Sequence, residues 1–490
     1  MLGQWRSHKD YQKFVVDELA SIARFDPSRL LEFEVEISKL YILNLDSLLS
    51  VIAPLYSHTG RPSESQPEMF RAFILMNHLK IGADQLVEKL KLNAVLRIIC
   101  GFTPQTVPGV ASFYDFIDRI IKLDERPKLK KKKRKPTKKL GKNVKMPPKH
   151  PGVVGKLVDR IKVGRQLRRR PELVLQKIFA EVCVKRSIDL GLVKRKLDVS
   201  GDGTCIKTGA SHYGVKVCEC ESFRCECPRR FSDPNAAWGW DSHNERYFYG
   251  YTGYFISTYN RKLKKDLPLC LRLVDARRHD SVSAVVALAE FRDLYPHLII
   301  DTFISDSASD NYTTYELLDH WGINAVIALN PTNNGNAKYP SSQNADENGT
   351  PLCPGGKPMV YNGFCKGRSR LKWRCPRALG KAEPCENCKS CSPSKYGRVI
   401  YTKPNWDLRL FTRIPRGSHQ WKLKMRSRTC AERINNRILH NYGVENAKTR
   451  GKKRISFFAT IAAFNVHLDA QLATLKERKI FDFSSVFGVA

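Results

Sequence analysis

His297-Leu298-Ile299-Ile300-Asp301-Thr302-Phe303-Ile304-Ser305-Asp306 is the stretch that decides the fold. Apolar residues dominate it from Leu298 to Ile304, as in a strand covered on both faces, and the run ends on an acid. Helical patterns flank it, SVSAVVALAEFRDLY (281–295) before and NYTTYELLDHWG (311–322) after. INAVIALN (323–330) then reads as another strand. Upstream, KLDVSGDGTCIKT (196–208), RYFYGYTGYFISTY (246–259) and LPLCLRLVDA (267–276) are rich in β-branched and aromatic residues and read as strands. Strands followed by alternating helix and strand predict an α/β fold with a mixed sheet and flanking helices.

Composition shifts divide the rest of the chain. Residues 1–122 carry apolar residues at three- and four-residue spacing, broken at Gly60-Arg61-Pro62-Ser63 and Ile81-Gly82-Ala83-Asp84, and are expected to form a helical DNA-binding domain of helix-turn-helix character. Residues 123–150 are expected to be a basic disordered linker, because 126–149 hold thirteen Lys and Arg, four Pro and no acid. Residues 151–195 resume a helical pattern as a connector, and 196–330 form the first part of the sheet domain. Residues 331–395 lose periodicity and read as a Cys-rich insertion. Residues 396–490 complete the sheet domain, with GRVIYTK (397–403) and LRLFTRI (408–414) as strands and long helices from about Arg426.

The 490 residues include 84 Lys and Arg against 48 Asp and Glu, a formal charge of +36. Such an excess points to a polyanionic partner, DNA or RNA before an anionic membrane surface, and Lys131, Lys132, Lys133 and Arg134 are the densest candidate phosphate contacts. No apolar run approaches a membrane span, and MLGQWRSHKDYQKF has no signal-peptide core, so a cytoplasmic protein is expected. In that reducing setting the 15 cysteines, an odd number, argue for metal rather than disulfides. Cys375, Cys385, Cys388 and Cys391 are the preferred zinc set, with Cys353 and Cys365 as possible substitutes. Cys218, Cys220, Cys225 and Cys227 are a second set, with tighter C-x-C spacing. The other cysteines, and Trp373, Trp406 and Trp421, are expected to pack in the core.

Three acids stand out by position. Asp202 lies at the first strand, Asp306 closes the buried strand, and Glu432 sits early in a late helix among Arg428, Arg433 and Arg437. An acid at the end of a buried strand is costly unless it meets a cation. Two Asp and one Glu brought together suit two Mg²⁺, and such a pair suits phosphodiester exchange. Asp198, Asp301 and Asp310 are rivals, with Asp310 expected to cap the helix near Tyr312 and Glu445 the next candidate after Glu432.

The sequence resembles bacterial insertion-sequence transposases with an RNase H-like DDE domain. The resemblance rests on Asp202-Gly203-Thr204, Tyr249-Gly250-Tyr251-Thr252, Ser305-Asp306-Ser307-Ala308 and Arg428-Thr429-Cys430-Ala431-Glu432-Arg433. Gly60-Arg61-Pro62 and Ala111-Ser112-Phe113-Tyr114-Asp115-Phe116 add to it. It implies an RNase H-like mixed sheet, Asp202, Asp306 and Glu432 as catalytic ligands of Mg²⁺ or Mn²⁺, and Arg428 as a DNA contact. It also implies double-stranded DNA as substrate at element ends and target, and a homodimer on that DNA. Relatives carry a Tyr and a Lys where this chain has Met425 and Leu439, so Arg437 or Lys448 would take over the phosphate contact. The rival readings are a zinc-stabilised DNA-binding protein with an inactive scaffold, and a nuclease without strand transfer.

Overall fold

The computed structural model describes residues 1–122, 128–130, 152–167, 170–221, 225–242, 244–330, 345–383, 391–445 and 449–489. The fold is mixed α/β, with a helical N-terminal region. Its main sheet contains β2 (Lys196–Lys207), β5 (Ala237–Asp241), β6 (Arg246–Asn260), β7 (Lys265–Asp275), β8 (Ile299–Ser305) and β9 (Asn324–Ile327). The path runs β5-β6-β2-β8-β9, with β7 also paired to β6. β2, β6 and β7 form an antiparallel meander, while β8 runs parallel to both β2 and β9. The parallel strands are reached through the helices Asp280–Leu294 and Tyr312–His320, as the alternating pattern predicts. Ser200 pairs with Ile304, so continuing the register sets Asp202 beside Asp306.

The helix Lys452–Glu477 is apolar on nearly all sides and accordingly buried. On one side Phe73 and Phe70, from the helix Gln66–His78, meet Phe457 and Phe464 at ring-centroid distances of 4.7 and 5.1 Å. On the other, His467 Nε2 lies 2.7 Å from the Pro268 carbonyl of β7. The N-terminal helices and the sheet therefore share one hydrophobic core.

Two smaller sheets stand apart. β1 (Leu129–Lys130), β3 (Val215–Lys216) and β4 (Arg229–Arg230) form one, in the order β1-β4-β3. β10 (Val360–Cys365), β11 (Arg370–Arg374) and β12 (Val399–Thr402) form the other. The stretch 331–395, read as a Cys-rich insertion without periodicity, contributes two antiparallel strands around a satellite core of Met359, Leu371, Trp373 and Phe411. LRLFTRI, expected as a strand, is a correction. It turns rather than extends, because the Asp407 carboxylate accepts hydrogen bonds from the Arg409 and Leu410 amides and closes a local loop. Trp373 is buried, and Trp421 packs beside Ile304 and Val326.

Candidate active site

β2 supplies Asp202 from the middle of the sheet. β8 delivers Asp306 one residue past its end, where the carboxylate accepts from the Ala308 amide and caps a short 3₁₀ turn. The helix Thr429–Asn436 docks through buried Cys430, Ala431 and Ile434. Exposed Glu432 and buried Asn435 are spaced as neighbours on one helical surface, and Asn435 Nδ2 donates to Asp202 Oδ2 at 2.9 Å. A cleft of about 870 Å³ is lined by Asp202, Asp280, Glu432, Asn435, Trp238 and Trp240, with Arg246, Arg277 and Arg278 also on its wall.

Burial, with the negative charges of Asp306 and Asp280 next in weight, pushes the Asp202 carboxyl up to about 7. Burial and Asp306 push Asp280 up to about 6. These shifts mark an accumulation of negative charge that wants a cation. Glu432 belongs to the same field but turns to Arg428 in an i,i+4 ion pair. The oxygens of Asp202, Asp306 and Glu432 do not all lie within 4.8 Å of one another, a spacing met among the described residues only by four thiols. The donor set still fits a hard divalent ion. Asn435 Oδ1 is buried without a hydrogen-bond partner and adds a neutral oxygen, and the exposed Arg428–Glu432 pair contributes only ~0.3–0.5 kcal/mol to be given up.

Asp280 was not singled out from sequence. As the first residue of a helix it reads as an ordinary N-terminal acid, and only the fold turns it toward Asp202. The one local signal is Gly203. A Cβ there would stand 2.4 Å from an Asp280 carboxylate oxygen, so the acid needs a glycine beside Asp202. Asn435 gave no signal beyond its place three residues after Glu432.

The rival acids are compensated. Lys424 Nζ lies 2.6 Å from Asp198 and 3.3 Å from Asp301, and Lys196 lies 2.9 Å from Asp301. Asp310 is not the expected cap. Asn311 caps the helix Tyr312–His320, while Asp310 is buried, paired with Arg409 at 2.7 Å and hydrogen-bonded by Tyr315. Glu445 pairs with His440 at 3.0 Å.

The candidate DNA-binding arginines are also engaged within the chain. Arg428 holds Glu432, Arg433 holds Asp266 at 2.6 Å, and Arg437 holds Asp469 at 2.8 Å. Lys448, Lys131, Lys132, Lys133 and Arg134 lie outside the described residues.

Of the two cysteine sets, the one ranked second converges. Cys218, Cys220, Cys225 and Cys227 offer four sulfurs within 4.8 Å of one another. Hydrogen bonds from the Cys220 and Cys218 thiols bring Cys225 down to about 6. Cys385 and Cys388 lie outside the described residues, so the set with Cys375 and Cys391 is not described as a whole.

Residues 29–119 match a family model described as a transposase domain, DUF772. The chain carries a transposase domain. No curated protein matches the chain. The transposase domain is tied directly to the segment that bears Glu432. Lys39 of the domain lies 2.5 Å from Asp469, the same carboxylate that holds Arg437. Asn77 of the domain donates to the Tyr442 carbonyl at 3.0 Å, just beyond that helix.

Proposed function

We propose that the protein is a DDE transposase that cuts DNA at the ends of a mobile element and joins the freed 3′-OH to target DNA. The observation that carries this reading is the gathering of three acids: the β2–β8 register sets Asp306 beside Asp202, and Asp280 approaches Gly203 from the other side. Asp202 and Asp280 line a cleft in a chain of net charge +36 that carries a transposase domain. The sheet order, an antiparallel meander continued by two parallel strands, supports an RNase H-like scaffold.

In this reading Asp202 and Asp306 would hold Mg²⁺ or Mn²⁺, and Glu432 would join them once released from its ion pair with Arg428. The bound ions would polarise the scissile phosphate and make water, then the 3′-OH, better nucleophiles at neutral pH. Asp202 would have to be ionised to hold a cation, and a neighbouring positive charge would favour that ionised form. Asn435 fixes the orientation of the Asp202 carboxylate. Arg428, once released from Glu432, is placed to neutralise a phosphate near the reacting strand. Arg246, Arg277 and Arg278 hold the DNA backbone along the cleft.

The test uses a duplex bearing the element's own terminus and a supercoiled target, with Mg²⁺ or Mn²⁺. Cleavage and joining by the native protein, both lost in Asp306→Asn, are expected. Binding without cleavage would favour a scaffold that only binds DNA, and cleavage without joining would favour a nuclease.

A further inference from the structure

The segment between β3 and β4 has almost nothing apolar to hold it. Each strand is two residues long, and Tyr213, Val215 and Val217 are exposed. What it does have is four converging thiols. Cys218 lies 3.3 Å from both Cys220 and Cys225, sulfur to sulfur. Cys220 lies 2.9 Å from Cys225 and 3.8 Å from Cys227. A tetrahedral zinc–thiolate centre, with Zn–S near 2.3 Å, has sulfur–sulfur edges of about 3.8 Å, whereas a disulfide needs about 2.05 Å. Small units without a core are held by metal in this way.

The same unit captures the entrance to the basic run. β4 is the central strand, with Arg230 pairing Val215 on one side and Leu129 on the other. The Phe231 amide donates to the Lys128 carbonyl at 2.8 Å. The next residues along the chain after β1 are Lys131, Lys132, Lys133 and Arg134. On its other flank the unit leans on the cleft, since the His212 ring meets Trp238 edge-on at 4.5 Å.

We propose that Cys218, Cys220, Cys225 and Cys227 bind one zinc ion, and that this centre holds β1 in place and with it the point at which the chain enters the basic run. Zinc then acts on DNA affinity through position rather than through contact with DNA. The affinity half rests on the DNA-binding part of the reading above, while the metal half does not.

The experiment compares the native protein with Cys225→Ser, Cys218→Ser and a variant with Lys131, Lys132, Lys133 and Arg134 all changed to Gln. Metal content is measured on each, with a salt titration of binding to a duplex of arbitrary sequence. Each serine variant is expected to lose one zinc equivalent. Its log–log salt slope should become shallower by about one to three, at roughly 0.9 per phosphate contact, matching the glutamine variant, which keeps its zinc. Cobalt uptake by the native protein should give the absorption of a tetrahedral four-thiolate centre, a readout that survives if the serine variants misfold. Unchanged zinc in both serine variants, or no four-thiolate cobalt spectrum, overturns the metal site. Loss of zinc with an unchanged salt slope overturns its role in DNA affinity. Neither readout involves cleavage, so failure here is separate from failure of the transposase reading.

Discussion

The strands β2 and β8 carry acids toward both ends, and the two ends are treated differently. At one, Asp198 and Asp301 are met by Lys424 and Lys196. At the other, Asp202 and Asp306 gather a third acid, Asp280, and among the described residues no lysine forms an ion pair with any of the three, although Arg428 opposes the charge on Asp202 from a distance. Burial raises Asp301, but hydrogen bonds from Lys196 and Thr302 and the charge of Lys424 bring it below its usual range. Asp202, a few residues along, stands at about 7. Fold stability alone asks for the first arrangement. The second is tolerated where a ligand supplies the missing charge.

The largest difference between the two ends should be in catalysis. Asp202→Asn and Asp306→Asn are expected to slow end cleavage by at least ~10³-fold, the scale of losing a main electrostatic element of an active site. Asp198→Asn should stay within about tenfold of native, and equal losses at both ends would erase the contrast. Cation-free stability should move the opposite way. The folded pKa of Asp202 lies above its unfolded value, so its contribution is present below about pH 4 and lost as pH rises through about 7. At pH 8, Asp202→Asn should therefore stabilise the protein by roughly 4 kcal/mol in denaturant melts. Asp301 has the opposite sign, contributing above its unfolded pKa and losing that contribution as pH falls through its lowered value. Asp301→Asn should accordingly destabilise at pH 8. Lys424→Met strips the compensated end of its base and should cost about 2 kcal/mol, with activity retained. The smallest effect belongs to Arg428→Ala, whose ion pair with Glu432 is exposed. Stability should change by under ~0.5 kcal/mol while DNA affinity falls, and a large loss of stability would show the pair to be structural.

The mixed sheet was legible because its strands are long and apolar, and Asp202 and Asp306 were legible because an acid breaks each pattern. Asp280 was not, since an acid at the start of a helix is ordinary until the fold turns it toward Gly203. Asp310 misled for the same reason in reverse. It sits where caps sit, yet Asn311 does the capping and Asp310 is drawn inward by Arg409, about a hundred residues downstream and beyond any local pattern. The tight C-x-C spacings of Cys218–Cys220 and Cys225–Cys227 were ranked below the wider cluster. The short β3–β4 pairing nonetheless folds them onto one another, a long-range fact that spacing rules do not contain.

The end of β2 and β8 that holds Asp202 and Asp306 should be a divalent-cation site. Mn²⁺ binding followed by electron paramagnetic resonance tests it on protein freed of metal at pH 8, with Asp198→Asn and Asp202→Asn alongside native. The account predicts saturable binding to native and Asp198→Asn protein, at least tenfold weakened by Asp202→Asn. Binding that survives Asp202→Asn unchanged, or that is lost instead in Asp198→Asn, would contradict it.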